Sequence, residues 1–224
     1  MNNKIRNIIS ECTNRVLKRY INEAMDDTFS LEELSSLRSY AARVRYCKQH
    51  LGYPIGNGSS RIVFQIDDEK CLKLAKNEKG IAQNEVEYDK YAETYDVTPA
   101  LFDCDNDSKW IVTEYVLPAK AQDFKECLGI DFKTFQNFVI CASNCYARRP
   151  SSTDMSDDQF SELIDNNEWL DNLYHYMSDY QVPCGDILRL ANLGMVMRHG
   201  EPQIVILDSG LNEDVYERYY SRRR

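Results

Sequence analysis

Three polar residues are spaced along one stretch, residues 184–211 (CGDILRLANLGMVMRHGEPQIVILDSGL), so that they could work together: Asp186, Asn192 and Asp208. The run Ile204-Val205-Ile206-Leu207 is an apolar strand of the buried kind, and Asp208-Ser209-Gly210 closes it, which puts a carboxylate where a strand ends in a tight turn. Asp186 and Asn192 come just before an earlier short strand, residues 193–197, with a turn at His199-Gly200. A carboxylate and an amide oxygen at one strand start, with a second carboxylate at a neighbouring strand end, can hold Mg²⁺ on a nucleotide phosphate, because that cation takes oxygen ligands and shares them with phosphate. The bland counterpart is a β-hairpin with acidic turn residues. A second unusual residue is Lys73, inside the apolar run Cys71-Leu72-Lys73-Leu74-Ala75. Burying an unpaired charge is costly, so a lysine there needs a reason. Lys76 is its competitor and lies past the apolar run.

These residues must be positioned by elements that the pattern also predicts. Residues 3–25 read as an amphipathic helix with Ile5, Ile8, Ile9, Cys12, Val16, Tyr20 and Ala24 on one face. Residues 31–50 read as a second helix, with a capping box at Ser30 and Glu33, a staple of Phe29 and Leu34, a stripe of Leu34, Leu37, Ala41 and Val44, and a stop at Gly52. Residues 53–74 read as a hairpin: Gly56-Asn57-Gly58 punctuates the first strand and Asp67-Asp68 makes the turn. A helix follows from about residue 81. Residues 99–116 read as two strands around an acidic turn, Asp103-Cys104-Asp105-Asn106-Asp107, which lacks the calcium-loop ligand pattern and is expected to be a solvated turn. Residues 132–146 form another helix. Residues 148–152 read as a linker, and a long helix then runs from a capping box at Ser156 and Gln159 to Tyr180 and is ended by Pro183.

Composition narrows the classes. The chain has 224 residues, 43% hydrophobic and 28% charged, as a folded globular protein does. Its net charge of −9, from 27 basic and 36 acidic residues, argues against a nucleic-acid partner, which needs a basic face. No apolar run approaches the roughly 20 residues of a membrane helix. The N-terminus lacks the apolar core of a signal peptide. With eight cysteines and no such signal, free thiols in a reducing cytoplasm are expected. Cys141 and Cys145 are expected to pack rather than bind metal.

In their order along the chain, these features resemble the protein-kinase-like phosphotransferases, and in size the compact kinase-like proteins of bacteria and their phages. Gly56 and Gly58 match the first two glycines of the family's Gly-x-Gly-x-x-Gly, with Arg61 replacing the third. Val63 matches the valine that packs on the adenine, and Cys71-Leu72-Lys73 resembles the Val-Ala-Ile-Lys strand. Residues 110–116 (WIVTEYV) resemble the hinge strand. Gly185-Asp186 resembles the Gly-Asp of the small-molecule kinase branch, with Cys184 where a His usually stands, and Asp208-Ser209-Gly210 resembles the Asp-Phe-Gly. The family separates its Asp and Asn by five residues where this chain has six, so the loop must bulge or Asp186 is not the base.

The resemblance implies an α+β, two-lobed fold: an N-terminal helical hairpin over residues 1–51, a lobe with a five-stranded antiparallel sheet over 52–118, and a truncated helical lobe over 119–224, since only 14 residues follow Gly210. It implies ATP and Mg²⁺ as cofactors. Lys73 would reach the phosphates under Gly56 and Gly58, held by a glutamate of the following helix. Glu87 has Tyr91 four residues on and borders an apolar face, while Glu85 has Asp89 there, which favours Glu87. Thr113 would sit beside the adenine, read by the carbonyl of Glu114 and the N–H of Val116. Asp186 would be the base, and Asn192 and Asp208 the metal ligands. The implied activity is phosphate transfer from ATP to a small-molecule or protein hydroxyl. The alternatives are a pseudokinase that binds nucleotide or a partner without transfer, and a nucleotidyl transferase. The N-terminal helices would be a docking surface for a partner or would simply pack on the domain.

Overall fold

The computed structural model describes residues 29–90, 96–150, 153–198 and 200–221. The predicted helix over residues 3–25, Tyr91, His199 and Arg222 to Arg224 lie outside them. The fold is α+β. Its first part comprises α1 (Leu31–Ser36), α2 (Tyr40–Leu51), β1 (Gly56–Asn57), β2 (Arg61–Gln65), β3 (Lys70–Ala75), α3 (Glu78–Lys90), β4 (Leu101–Cys104) and β5 (Trp110–Glu114). The five strands make one antiparallel sheet in the order β1-β2-β3-β5-β4.

Side chains alternate across a strand, so register sorts this sheet into two faces. Ile62 pairs with Leu74 and Phe64 with Leu72, and these pair in turn with Trp110 and Val112. This face is sealed by Leu34, Tyr46 and Cys47 of α1 and α2, which share one core with it. The opposite face carries Arg61, Val63, Cys71, Lys73, Ile111 and Thr113.

The single helix expected over residues 31–50 is in fact two. Leu37 turns extended (ψ 121), and Ser39 caps α2 by accepting from the Ala42 N–H. The break re-phases the second helix: Arg43, Tyr46 and Cys47 are buried and Ala41 is exposed. The capping box at Ser30 is half formed. Its hydroxyl accepts from the Glu33 N–H at 3.3 Å, but its own N–H donates to the Tyr46 hydroxyl at 2.8 Å, because that phenol reaches the cap from α2. Gly52 does stop the helix, with φ +81. The acidic turn is not simply solvated. Asp105 is buried and accepts from the N–H groups of Asp107 and Lys109, each at 3.1 Å, and from the Ser35 hydroxyl at 2.8 Å. Charge-assisted bonds of this kind tie the turn to α1.

The second part comprises β6 (Leu117–Pro118), α4 (Asp123–Leu128), α5 (Phe132–Tyr146), α6 (Asp157–Asn166), α7 (Glu168–Asp179), α8 (Cys184–Ile187), β7 (Leu193–Arg198), β8 (Glu201–Ile206) and α9 (Glu213–Tyr219). Phe124, Phe135, Phe138, Leu170, Leu173, Tyr176 and Met177 fill its core. The long helix expected up to Tyr180 is interrupted at Asn167 (φ −140, ψ 100), which caps α7 by accepting from the Leu170 N–H and donates to the Leu128 carbonyl. The capping box at Ser156 and Gln159 is complete. Strands β6, β7 and β8 form a three-stranded sheet. Among the described residues, no helix is long and apolar enough to cross a membrane.

Candidate functional site

The inner face of the five-stranded sheet, α3 and the turn after β8 converge on a buried charge cluster. Lys73, 6% exposed, donates to Glu87 Oε2 at 2.7 Å and to the Leu207 carbonyl at 2.8 Å. Helix α3 starts at Glu78, three residues earlier than expected, because the Asn77 side chain caps it by accepting from the Gly80 N–H. That helix turns Glu87 into the cluster and leaves Glu85 exposed. The apolar run around Lys73 thus buries an ammonium that has a carboxylate and a carbonyl for partners, as burial of a charge requires.

Arg61 completes the cluster. Its Nη1 lies 2.7 Å from Glu87 Oε1 and 3.3 Å from Asn84 Oδ1, and its Nη2 pairs with Asp208 Oδ1. The Glu87 contact is a charge contact rather than an aligned hydrogen bond. Burial pushes the Glu87 carboxyl up, but Arg61 and Lys73 outweigh it and hold the group below the usual carboxylate range. Burial likewise opposes the Arg61 charge, and Glu87 and Asp208 more than restore it. Two buried cations therefore share one buried carboxylate, Glu87, and Arg61 reaches a second, part-exposed one at Asp208.

Asp208 follows the end of β8 with its side chain 41% exposed. Asn192 ends the 3₁₀ turn Leu190–Asn192, its side chain donates to the Asp186 carbonyl at 3.1 Å, and its own carbonyl accepts from the Leu207 N–H at 2.9 Å. The six-residue step from Asp186 to Asn192 is taken up by α8 and this 3₁₀ turn. The Asp186 carboxyl is raised, first by burial and then by the like charge of Asp208, while Arg189, 3.8 Å away, and Lys79 oppose the shift. The structure thus brings Lys73, Glu87, Asn192, Asp186 and Asp208 to one edge.

The remaining predicted residues border it. Gly56 pairs with Val63, and Val63 stands opposite Lys73 on the same sheet face. The Gly58 N–H donates to the Arg61 carbonyl at 2.9 Å, while its own carbonyl accepts from Lys76. Lys76 thus serves the glycine turn, not the cluster. Thr113 is buried against the Cys71 thiol at 3.2 Å. The Glu114 carboxylate pairs with Arg198 at 2.7 Å. Val116 packs so closely on Gly194 that a β-carbon there would overlap it.

Sequence reasoning noted Arg61 only as a lost glycine. The signal was present, since an arginine opening the apolar run Ile62-Val63-Phe64 raises the same question as Lys73 does. Among the described residues, no group of three or more His, Cys, Asp or Glu side chains could hold a metal ion. A ligand set here would be Asp208 with the Asn192 amide, and Asp208 is already engaged by Arg61. A separate cavity of about 460 Å³, lined by Thr134, Asn137, Asp154, Glu162 and Asn166 among others, shares no residue with the cluster. No family model and no curated protein sequence matches the chain.

Proposed function

We propose that the chain is an ATP- and Mg²⁺-dependent phosphotransferase with a two-lobed kinase-like fold, acting on a hydroxyl of a small molecule or a protein. The observation that carries this reading is the buried Lys73–Glu87 pair, whose ammonium also reaches the carbonyl of Leu207, next to Asp208. It joins a fixed cation on one sheet to the backbone one residue before the carboxylate that follows a strand of the other. Phosphoryl transfer needs little beyond such positioning and charge neutralisation.

In this reading Gly56 and Gly58 cover the phosphates, Val63 packs on the adenine, and the main chain at Glu114 and Val116 reads its edge. Lys73, kept in place by Glu87, holds phosphate oxygens. Asn192 and Asp208 are the residues that would hold Mg²⁺, which when bound neutralises phosphate charge. Asp186 orients the attacking hydroxyl and takes its proton, for which a raised carboxyl is suited.

The test is thermal unfolding with ATP, with and without Mg²⁺, beside an Asp208→Ala variant, followed by a search for labelled product. Ligand at about a hundred times its Kd adds roughly 2.7 kcal/mol. A shift needing both Mg²⁺ and Asp208 supports the reading, and turnover unchanged in Asp208→Ala overturns it. The Arg61–Asp208 pair favours a second reading, a nucleotide-binding or interaction protein without transfer activity. ATP binding independent of Mg²⁺, with no product, would decide for it.

A further inference from the structure

We propose that Arg61 makes divalent-metal binding at Asp208 conditional on a bound oxyanion: the guanidinium holds the carboxylate until a phosphate draws it away. This rests on reading Asp208 as a metal ligand of a phosphate site.

The charge balance of the cluster carries the argument. Arginine cannot shed its proton in a protein, so a buried guanidinium must be matched by negative charge. Arg61 is 7% exposed. Glu87 is shared with Lys73 and balances only one of the two cations. The second is balanced by Asp208. A divalent ion arriving at Asp208 alone would strip the buried Arg61 of that counter-ion and set two like charges at contact range, which repel.

Geometry sets how the block is lifted. Nη1 is anchored on α3, between Glu87 Oε1 at 2.7 Å and Asn84 Oδ1 at 3.3 Å. Asn84 is itself fixed by donating to the Ser108 carbonyl at 2.8 Å. Only Nη2 reaches across to Asp208, whose side chain is the more exposed partner of the pair. The guanidinium can therefore exchange one partner while keeping the others. A phosphate is the natural replacement, because its anionic oxygens accept strong charge-assisted hydrogen bonds from a guanidinium nitrogen. Once it takes Nη2, Asp208 is released to face a cation and Asn192.

The experiment is Mn²⁺ binding, followed by paramagnetic resonance of the free ion, in nucleotide-free wild-type protein, Arg61→Gln and the double variant Arg61→Gln/Asp208→Asn. The Gln variant is expected to bind Mn²⁺ at least about tenfold more tightly than wild type, and the double variant to lose that gain. Adding sulfate, an oxyanion that binds Mn²⁺ weakly, should tighten Mn²⁺ binding to wild type but not to Arg61→Gln. An Arg61→Gln affinity within about twofold of wild type, or a gain that survives loss of Asp208, overturns the proposal. Arg61→Met, which keeps the aliphatic stem, replaces the Gln variant if that does not fold. ATP binding is measured on the same proteins. If ATP binds none of the three proteins while Mn²⁺ behaves as expected, the phosphotransferase reading falls and the Arg61–Asp208 exchange stands. If ATP binds wild type and the Mn²⁺ affinities are equal, the reverse holds.

Discussion

A β-carbon on Gly210 would stand 2.5 Å from the carbonyl oxygen of Gln83 and 2.8 Å from its Cβ. The turn after Asp208 therefore packs directly on the backbone of α3. Gln83 is buried, accepts from the Ser60 hydroxyl and donates to the hydroxyl of Tyr220, which caps α9, at 3.3 Å, so one residue ties the Gly210 turn, α3 and the end of α9 together. Replacing Gly210 by Ala should push these apart and cost about 1–3 kcal/mol, as overpacking does. Gly185, with nothing within 4 Å of its hypothetical β-carbon, should tolerate Ala within about 1 kcal/mol. Urea denaturation of the two variants makes the comparison.

Glu87 should govern acid stability. Its carboxyl is held below the usual range in the fold, so its stabilisation is complete above the unfolded value of about 4.3 and is lost as pH falls through the lower folded value. Glu87→Gln leaves two buried cations with Asp208 alone. It should cost about 3 kcal/mol at neutral pH and flatten the loss of stability on acidification. Urea midpoints across the acid range would show both effects. Equal slopes for wild type and variant would remove Glu87 from the account.

If Asp186 is the base of the proposed transfer, it should set the acid limb of that activity: a base must be deprotonated, and this carboxyl is raised by burial and by Asp208, so transfer would fall as pH drops through a value above that of an ordinary aspartate. Asp208→Asn removes the like charge and should shift this titration to lower pH. Carboxyl chemical shifts followed through the titration check the shift in both proteins without requiring turnover.

The sheet face opposite the cluster offers a packing test. Leu34 is fully buried against β2, β3 and β5, so Leu34→Ala should cost about 2–5 kcal/mol. Because α1 and α2 share one core with the sheet, the loss should appear as an earlier single transition rather than as a separate unfolding of the helical pair. Tyrosine fluorescence and far-UV circular dichroism monitored together would distinguish the two.

Much of this was legible in the residues, for stated reasons. The strands announced themselves through buried apolar runs, and Lys73 through a charge that such a run could not hold alone. Gly52 and the Ser156–Gln159 pair acted locally, and local chemistry is what a sequence displays. The helix breaks were hidden because Ser39 and Asn167 each sit inside a hydrophobic period that continues across them, and only their capping bonds reveal that the chain has turned. Asp105 looked solvated because its partner Ser35 lies 70 residues away. Arg61 raised the same question as Lys73, but the partner that completes its charge balance, Asp208, lies 147 residues further on.

The short β6 has a mechanical consequence. Leu117 and Pro118 pair with Met195 and Gly194, the Ala119 N–H bonds the Leu193 carbonyl, and the Ile206 N–H bonds the Val97 carbonyl. The passage from one core to the other is thus riveted on two sides rather than strung on a tether. A wide swing of the two halves would shear these rungs. The cheaper motion is to lift the flap formed by β1 and the glycine turn, which is held by its pairing with β2 and by the clasps of Lys76 and Lys79. Were the proposed nucleotide to bind beneath this flap, its exchange would keep the pace of a small loop rather than of a jaw.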